Sequence, residues 1–107
     1  MAAMHMTNEL FNQAIHGSVP VLVDYWAPWC GYCRRISAAY DKVAQQYEGE
    51  LMVAKINIDD EPQLAQQQGI EVIPTLVLYR DGKALGSVTA PASKAAIDEF
   101  IRQTLQG

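Results

Sequence analysis

Cys30 and Cys33, separated by two residues in the segment WAPWCGYCRR, are the only cysteines in this chain of 107 residues. Two thiols at this spacing can form a reversible disulfide, supply half of a zinc site or close a short structural disulfide. A thiolate rather than a thiol attacks a disulfide bond, so a reactive pair needs a feature that stabilises negative charge on sulfur. The reactive alternative therefore depends on what surrounds the two sulfur atoms.

The apolar residues after the motif recur at steps of three and four, which is typical of one face of a helix. They are Cys33, Ile36, Tyr40, Val43 and Tyr47. The pattern predicts a long helix that begins at the motif, with Cys30 at or before its first turn and Cys33 one turn inside on the buried face. Unpaired backbone N–H groups and the positive end of the helix dipole favour an anion at such a place, so we expect Cys30 to ionise readily.

These positions predict different roles for the two sulfur atoms. Cys30, exposed at the head of the helix, would attack a substrate disulfide and form a mixed disulfide. Cys33, which is less accessible, would then attack that bond and release the substrate. The pair would thus act as the nucleophile and the resolving thiol of a dithiol–disulfide exchange.

Metal binding and a purely structural disulfide are the alternatives to a reactive pair. A structural zinc site needs four ligands, and only His5 and His16 are present to complete one with the two cysteines. A cluster that bridges two chains through the cysteines is a further alternative. A disulfide that closes so short a loop removes little entropy from the unfolded chain. The residues favour the reactive pair over each of these without excluding them.

Strand and helix patterns alternate along the chain. Predicted strands cover Val19–Ala27, Leu51–Asp59, Thr75–Tyr79 and Ala84–Thr89, with a short additional strand near Met4 to Met6. Predicted helices begin at Thr7, at the cysteine motif, at Pro62 and at Ser93. The order βαβαβαββα predicts parallel strands joined by crossovers, with an antiparallel hairpin turned at Asp81-Gly82. We expect one α/β domain that spans residues 1–107.

Helical periodicity also predicts which faces of the outer helices are buried. In the first helix these residues are Leu10, Phe11, Ala14 and Ile15, with Gly17 as the stop. In the last helix they are Ile97, Phe100, Ile101 and Leu105.

Composition excludes several classes of partner. The net charge of -4 and the pI near 4.9 give no general attraction to nucleic acid or to anionic lipid. No apolar run is long enough for a membrane helix, and no basic-then-apolar secretory signal opens the chain, so we expect a cytoplasmic protein. Residues 1–6 are either native or left over from an expression vector. We expect this segment either to be disordered or to contain the short strand.

Three blocks of the sequence resemble the thioredoxin family: VLVDYWAPWCGYC, VAKINID and GIEVIPTLVLYRDGK. They occur in the family's order, and the likeness runs from about Thr7 to Leu105. Ordered blocks are far more specific than a lone cysteine pair. The resemblance implies the thioredoxin fold, which is a central mixed β-sheet flanked by helices on both faces. It also implies reduction of protein disulfides through Cys30 and Cys33 with no bound cofactor.

The resemblance implies roles for two charged residues as well. Asp24 matches the family's buried acid, which is thought to move protons to and from the resolving cysteine, and Lys55 matches the lysine that partners this acid. A carboxyl group buried in an apolar strand has a raised pKa and can exchange protons near neutrality. The plainer alternative is that the two residues form a structural ion pair.

A substrate groove is implied beside the cysteines. Pro74 matches a proline that is cis in the family and lies against the cysteine pair, and the backbone of Ile73 would pair with the substrate. The plainer alternative is an ordinary proline at the start of a strand. Trp29 would flank the same groove and Trp26 would pack beneath it, with plain core packing as the alternative for either.

The chain departs from the family at several positions near this groove. Gly31 and Tyr32 separate the cysteines where the family usually has Gly-Pro, and the lost proline ring should make the pair more oxidising. Thr89 replaces a glycine that usually lines the groove, and Arg34 and Arg35 add positive charge near the motif. We expect Gly31, Tyr32 and Thr89 to contact the substrate, so these changes bear on substrate choice.

The sequence thus predicts a monomeric oxidoreductase that reduces disulfides of protein substrates and is regenerated by a donor such as a thioredoxin reductase. It predicts no nucleic-acid, membrane or metal partner. One alternative is a disulfide oxidase or isomerase with a more oxidising potential. The other is a module that binds a partner in its groove and has no catalytic role.

Overall fold

The polypeptide alternates strands and helices, which a computed structural model describes for residues 3–106. The strands are β1 (Met4–His5), β2 (Val21–Trp26), β3 (Met52–Asn57), β4 (Thr75–Arg80) and β5 (Lys83–Thr89). The helices are α1 (Asn8–Ala14), α2 (Gly31–Gln46), α3 (Pro62–Gln67) and α4 (Lys94–Gln106). This is the predicted order, including the short first strand. Within residues 3–106, none of the helices is both long and apolar enough to cross a membrane.

The strands form one mixed sheet in the order β1-β3-β2-β4-β5. β1, β3 and β2 run parallel, whereas β4 is antiparallel to β2 and β5 is antiparallel to β4. The register places Asp24 of β2 opposite both Lys55 of β3 and Leu76 of β4. The strand that carries the acid and leads into the cysteine helix is therefore the central strand of the sheet.

Helices cover both faces of the sheet, as predicted. Alternate side chains of β2 point to opposite faces. Val21, Val23 and Tyr25 join residues of α1 and α3 in one apolar cluster, and Leu22 joins residues of α2 and α4 in the other. Burial on both faces explains why β2 is an almost continuous apolar run. Each fully buried aliphatic side chain adds about 1.5–3 kcal/mol to the free energy of unfolding. The strand that carries the site is therefore stabilised by packing on both faces.

Local signals set the helix starts and the hairpin turn. The hydroxyl groups of Thr7 and Ser93 accept hydrogen bonds from first-turn N–H groups of α1 and α4, at 3.3 and 3.1 Å, as expected of N-caps. Asp81 and Gly82 both have positive φ, at 55° and 79°. This is the conformation of a two-residue turn whose twist matches the flanking strands.

Some predicted boundaries and faces differ from the structure. Leu10 is 43% exposed, because α1 is short and buries only Phe11 among its own residues. β2 begins at Val21 rather than Val19, which is 52% exposed and is followed by Pro20, a residue without an N–H for the ladder. β3 is shorter than predicted at both ends, and α2 ends one residue before Tyr47, which is its C-cap.

Residues 4–6 pair with β3. Met4 pairs with Ala54 and His5 pairs with Lys55, and the Met6 N–H donates to the Lys55 carbonyl at 2.9 Å. Of the two alternatives for this segment, the structure shows the short strand at Met4–His5. Residues 1, 2 and 107 lie outside the described residues.

Candidate active site

The two cysteines lie at the N-terminal end of α2, just beyond the carboxyl end of β2. Cys30 is the N-cap of the helix, and its sulfur accepts a hydrogen bond from the Cys33 N–H at 3.2 Å. The Cys30 N–H donates to the Ala27 carbonyl at 3.1 Å, which closes the turn between strand and helix. The first turn contains no acidic residue that would oppose a thiolate. The predicted positions of both cysteines are confirmed.

Cys30 and Cys33 are joined by a disulfide bond, with their Cα atoms 5.3 Å apart. Cys30 is 9% exposed and Cys33 is 3% exposed, so Cys30 is the more accessible of the two, as predicted. The expectation that Cys30 lies exposed is too strong, because Ala27, Ile58 and Ile73 pack around the pair. A substrate disulfide therefore has to reach Cys30 along a restricted path.

Asp24 is a buried acid on the same face of β2 as Leu22, the face that α2 covers. It is 1% exposed, and its Oδ1 atom has no hydrogen-bond partner among the described residues. Burial raises the pKa of Asp24 from 3.8 to about 7, and the positive charge of Lys55 offsets part of the rise. A carboxyl group that titrates near neutrality can both give and take a proton there.

Lys55 is half-buried beside Asp24 in the strand register. Its Nζ atom lies 4.6 Å from the centroid of the Trp26 ring, which is a cation–π contact. Because Oδ1 of Asp24 has no partner, the lysine acts on that atom through space and not through a hydrogen bond.

The loop before β4 faces the cysteines. The Ile73–Pro74 peptide bond is cis, as the resemblance implies, and Pro74 also directly precedes the strand, as the plainer alternative implies. The Ile73 carbonyl lies 4.0 Å from the Cys30 sulfur, and the Thr75 hydroxyl donates to the Val72 carbonyl at 2.5 Å. Main-chain groups of this loop are thus within reach of a segment bound at Cys30.

Comparison with known proteins assigns the chain to a family. A family model described as thioredoxin matches residues 2–103. The chain belongs to the thioredoxin family. Thioredoxin 1 of a Nostoc species is 43% identical over 105 residues, which cover 97% of this chain and 98% of the relative. Thioredoxin 1 of Synechococcus elongatus is 42% identical over 96 residues, which cover 89% and 90%. Thioredoxin of Porphyra purpurea is 38% identical over 104 residues, which cover 96% and 97%.

Membership of the thioredoxin family, together with the disulfide-bonded cysteine pair, makes the protein a thiol–disulfide oxidoreductase that reduces protein disulfides. The predicted fold and reaction class are both confirmed. Nothing in the comparisons supports an oxidase, an isomerase or a binding module.

The two tryptophans of the thioredoxin motif have different surroundings. Trp29 is 65% exposed, so plain core packing is wrong for it. Its indole N–H donates to both carboxylate oxygens of Asp59, at 3.0 and 3.3 Å. Trp26 is half-buried and packs against the cluster that contains the cysteines. Asp59 is not among the predicted site residues, because the sequence pattern makes it the last residue of a strand that in fact ends at Asn57.

Tyr32 stands where thioredoxins usually have proline. Its hydroxyl donates to the Pro91 carbonyl at 2.9 Å and lies 3.4 Å from the Ala90 carbonyl. The side chain of Arg35 lies over its ring, at 5.8 Å from the centroid. Ala90 and Pro91 are absent from the predicted site, because no local pattern links them to a residue 58 or 59 positions earlier in the chain.

The remaining predicted site residues lie around the same end of the sheet. Gly31 is the first residue of α2, and a Cβ atom there would approach only the side chain of Arg34, at 4.0 Å. Thr89 ends β5 opposite Thr75, with the two hydroxyl oxygens 3.3 Å apart. In the part of the chain that the structure describes, no group of three or more His, Cys, Asp or Glu side chains is placed to hold a metal ion.

Proposed function

We propose that Cys30 and Cys33 carry disulfide reduction as the attacking and the resolving thiol. In the reduced protein the Cys30 thiolate attacks one sulfur of a substrate disulfide, and the other substrate sulfur leaves as a thiolate. Cys33 then attacks the Cys30 sulfur, which releases the second substrate thiolate and forms the Cys30–Cys33 disulfide. Two electrons pass from the protein to the substrate, and the two substrate thiolates take up protons. The observation that carries this assignment is the N-cap position of Cys30 together with its greater exposure.

We propose that Asp24 accepts the proton that Cys33 loses when it attacks. A pKa of about 7 gives the carboxyl group a useful fraction of the charged form at neutral pH. Lys55 would keep that pKa from rising further, because its positive charge favours the carboxylate. In this proposal Asp24 acts as the base and Lys55 lowers its pKa.

The substrate would bind as an extended segment in the groove beside Cys30. The residues proposed to contact it are Trp29, Gly31, Tyr32, Ile73, Pro74 and Thr89. Two observations support this placement: the Ile73 carbonyl lies close to the Cys30 sulfur, and the exposed ring of Trp29 stands on the same end of the sheet. An extended segment offers main-chain donors that can pair with such a carbonyl.

We propose further that the protein works as a monomeric single domain in the cytoplasm and receives its electrons from a thioredoxin reductase. The donor would transfer two electrons to the Cys30–Cys33 disulfide and restore both thiols. Sedimentation tests the monomer, cell fractionation tests the compartment, and NADPH consumption with a purified thioredoxin reductase tests the donor.

The assignment of the two thiols is tested with single cysteine variants and insulin as the disulfide substrate. Cys33→Ser should form a stable mixed disulfide with insulin, because the attacking thiol remains and the resolving thiol is gone. Cys30→Ser should form none at the same concentration. Equal trapping by both variants, or trapping by Cys30→Ser alone, would contradict the assignment.

The direction of the reaction is tested by the equilibrium between the cysteine pair and a glutathione buffer. A pair that stays oxidised in a strongly reducing buffer supports the reductase. A pair that is reduced by mildly reducing buffers would argue against it and for an oxidase.

A further inference from the structure

Tyr32 takes part in a chain of hydrogen bonds that joins three separate segments at the mouth of the groove. Its hydroxyl donates to the Pro91 carbonyl at 2.9 Å, which links the first turn of α2 to the loop after β5. In that loop the Ala90 N–H donates to the Pro74 carbonyl at 2.8 Å. The cysteine helix, the loop before β4 and the segment Thr89–Pro91 are therefore connected through the N–H of Ala90 and the carbonyl of Pro91.

The segment Thr89–Pro91, here called the wall loop, adopts a conformation that its own sequence does not favour. Ala90 has a φ of +49°, in the left-handed region that a side chain with a Cβ atom rarely adopts. Hydrogen bonds at its N–H and at the neighbouring carbonyl hold it there. One of these bonds is made with the loop before β4 and the other with Tyr32, so loss of the tyrosine hydroxyl would remove one of the two hydrogen bonds.

The ring of Tyr32 is itself held in place without its hydroxyl. It is half-buried, packs against the cluster that contains the cysteines, and lies under the Arg35 side chain at 5.8 Å. A phenylalanine at this position would keep the apolar contacts and the cation–π contact. The hydroxyl can therefore be removed while the surroundings of the two sulfur atoms stay the same.

We propose that Tyr32 is a positioning residue that fixes the wall loop through its hydroxyl and thereby favours extended protein segments over small disulfides. This proposal rests on the proposed function, because it concerns the groove beside Cys30. A protein segment that extends from Cys30 past Ile73 lies against the wall loop and gains from a wall that is already ordered. A small disulfide has to reach only the Cys30 sulfur and gains nothing from it.

The test compares Tyr32→Phe with the parent protein on two substrates. The pre-reduced proteins are mixed with rising concentrations of insulin or of an aromatic small-molecule disulfide, and the saturating rate and half-saturating concentration are measured. The variant should need roughly three to ten times more insulin for half-saturation, as expected for the loss of one neutral hydrogen bond. For the small disulfide the increase should be clearly smaller, because that substrate has to reach only the Cys30 sulfur.

Tyr47→Phe is the matched control, because Tyr47 is the C-cap of α2, at the end of the helix away from the groove. It should match the parent protein on both substrates. An insulin half-saturation that is unchanged in Tyr32→Phe would overturn the proposal, and so would an equal loss on both substrates. If the parent protein reduced neither substrate, that result would instead contradict the proposed function.

Discussion

Asp24 lies directly opposite Lys55 in the parallel register of β2 and β3, and yet its Oδ1 atom has no hydrogen-bond partner among the described residues. The lysine ammonium group lies over the Trp26 ring instead. A buried carboxylate without a full set of partners is costly, and this cost is what raises its pKa to about 7. The arrangement leaves an oxygen of the acid free to exchange a proton on the α2 side of the sheet.

Replacing Asp24 with asparagine removes the proposed proton acceptor while keeping the side-chain shape. At pH 7 we expect release of substrate from the mixed disulfide to slow by at least about tenfold, since general-base catalysis typically contributes more than that. The parent rate should rise with pH through about 7 as the acid ionises, and the variant should lose this inflection. Rapid-mixing measurement of thiol release checks both points, with the exposed Asp60→Asn as control. An unchanged rate would leave Asp24 as a buried acid without a catalytic role.

The same acid makes stability depend on pH. Its pKa is higher in the folded protein than in the unfolded chain, so its contribution to the free energy of unfolding is fully present below pH 3.8. That contribution is lost as pH rises through about 7 and stays lost above it. A pKa that rises from 3.8 to about 7 corresponds to at most about 4 kcal/mol.

Denaturant unfolding of the oxidised protein at a series of pH values measures this loss. Asp24→Asn should lack it, so the variant should gain stability relative to the parent protein as pH rises from about 4 to about 8. Asp60→Asn, which alters an exposed carboxyl group, should follow the parent. Parallel curves for the parent and Asp24→Asn would show that Asp24 keeps an ordinary pKa.

The positions of the cysteines could be predicted from sequence because each depends on local chemistry. Cys30 precedes the apolar stripe of α2 and Cys33 lies on it, so helical periodicity alone gives their order and relative burial. The hydrogen bonds that Trp29 and Tyr32 make around the cysteine pair could not be predicted in this way. The bond from Trp29 to Asp59 joins residues 30 positions apart, and the bond from Tyr32 to Pro91 spans 59.

The exposure of Leu10 shows a second limit of the sequence patterns. Periodicity places it on the apolar face of α1, but the helix is only seven residues long. A short helix buries fewer residues against the sheet than a long one, and in α1 the buried residue is Phe11. Which of two neighbouring apolar residues is buried depends on how the helix is rotated against the sheet, and this is a tertiary property.

Replacing Lys55 with methionine should raise the pKa of Asp24 further. Burial raises the pKa of Asp24, and the lysine charge lowers it by a smaller amount. Methionine keeps the apolar stem of the lysine without the charge. The pH inflection of mixed-disulfide resolution should therefore move upward from about 7, and the rate at neutral pH should fall. Lys42→Met, which removes an exposed charge on α2, is the matched control. An inflection at the same pH in both variants would contradict a coupling between Lys55 and Asp24.

Tyr40 ties the cysteine helix to the two central strands that carry Asp24 and Lys55. Its buried hydroxyl lies 3.1 Å from the Leu22 carbonyl and 2.7 Å from the Ala54 carbonyl, one on β2 and one on β3. Tyr40→Phe keeps the ring and removes this bridge, so the free energy of unfolding should fall by about 1–2 kcal/mol. Urea unfolding measures the change, and an unaltered dependence on urea concentration would show that the fold is kept. A variant as stable as the parent protein would mean that water or the strand ladder already satisfies both carbonyls.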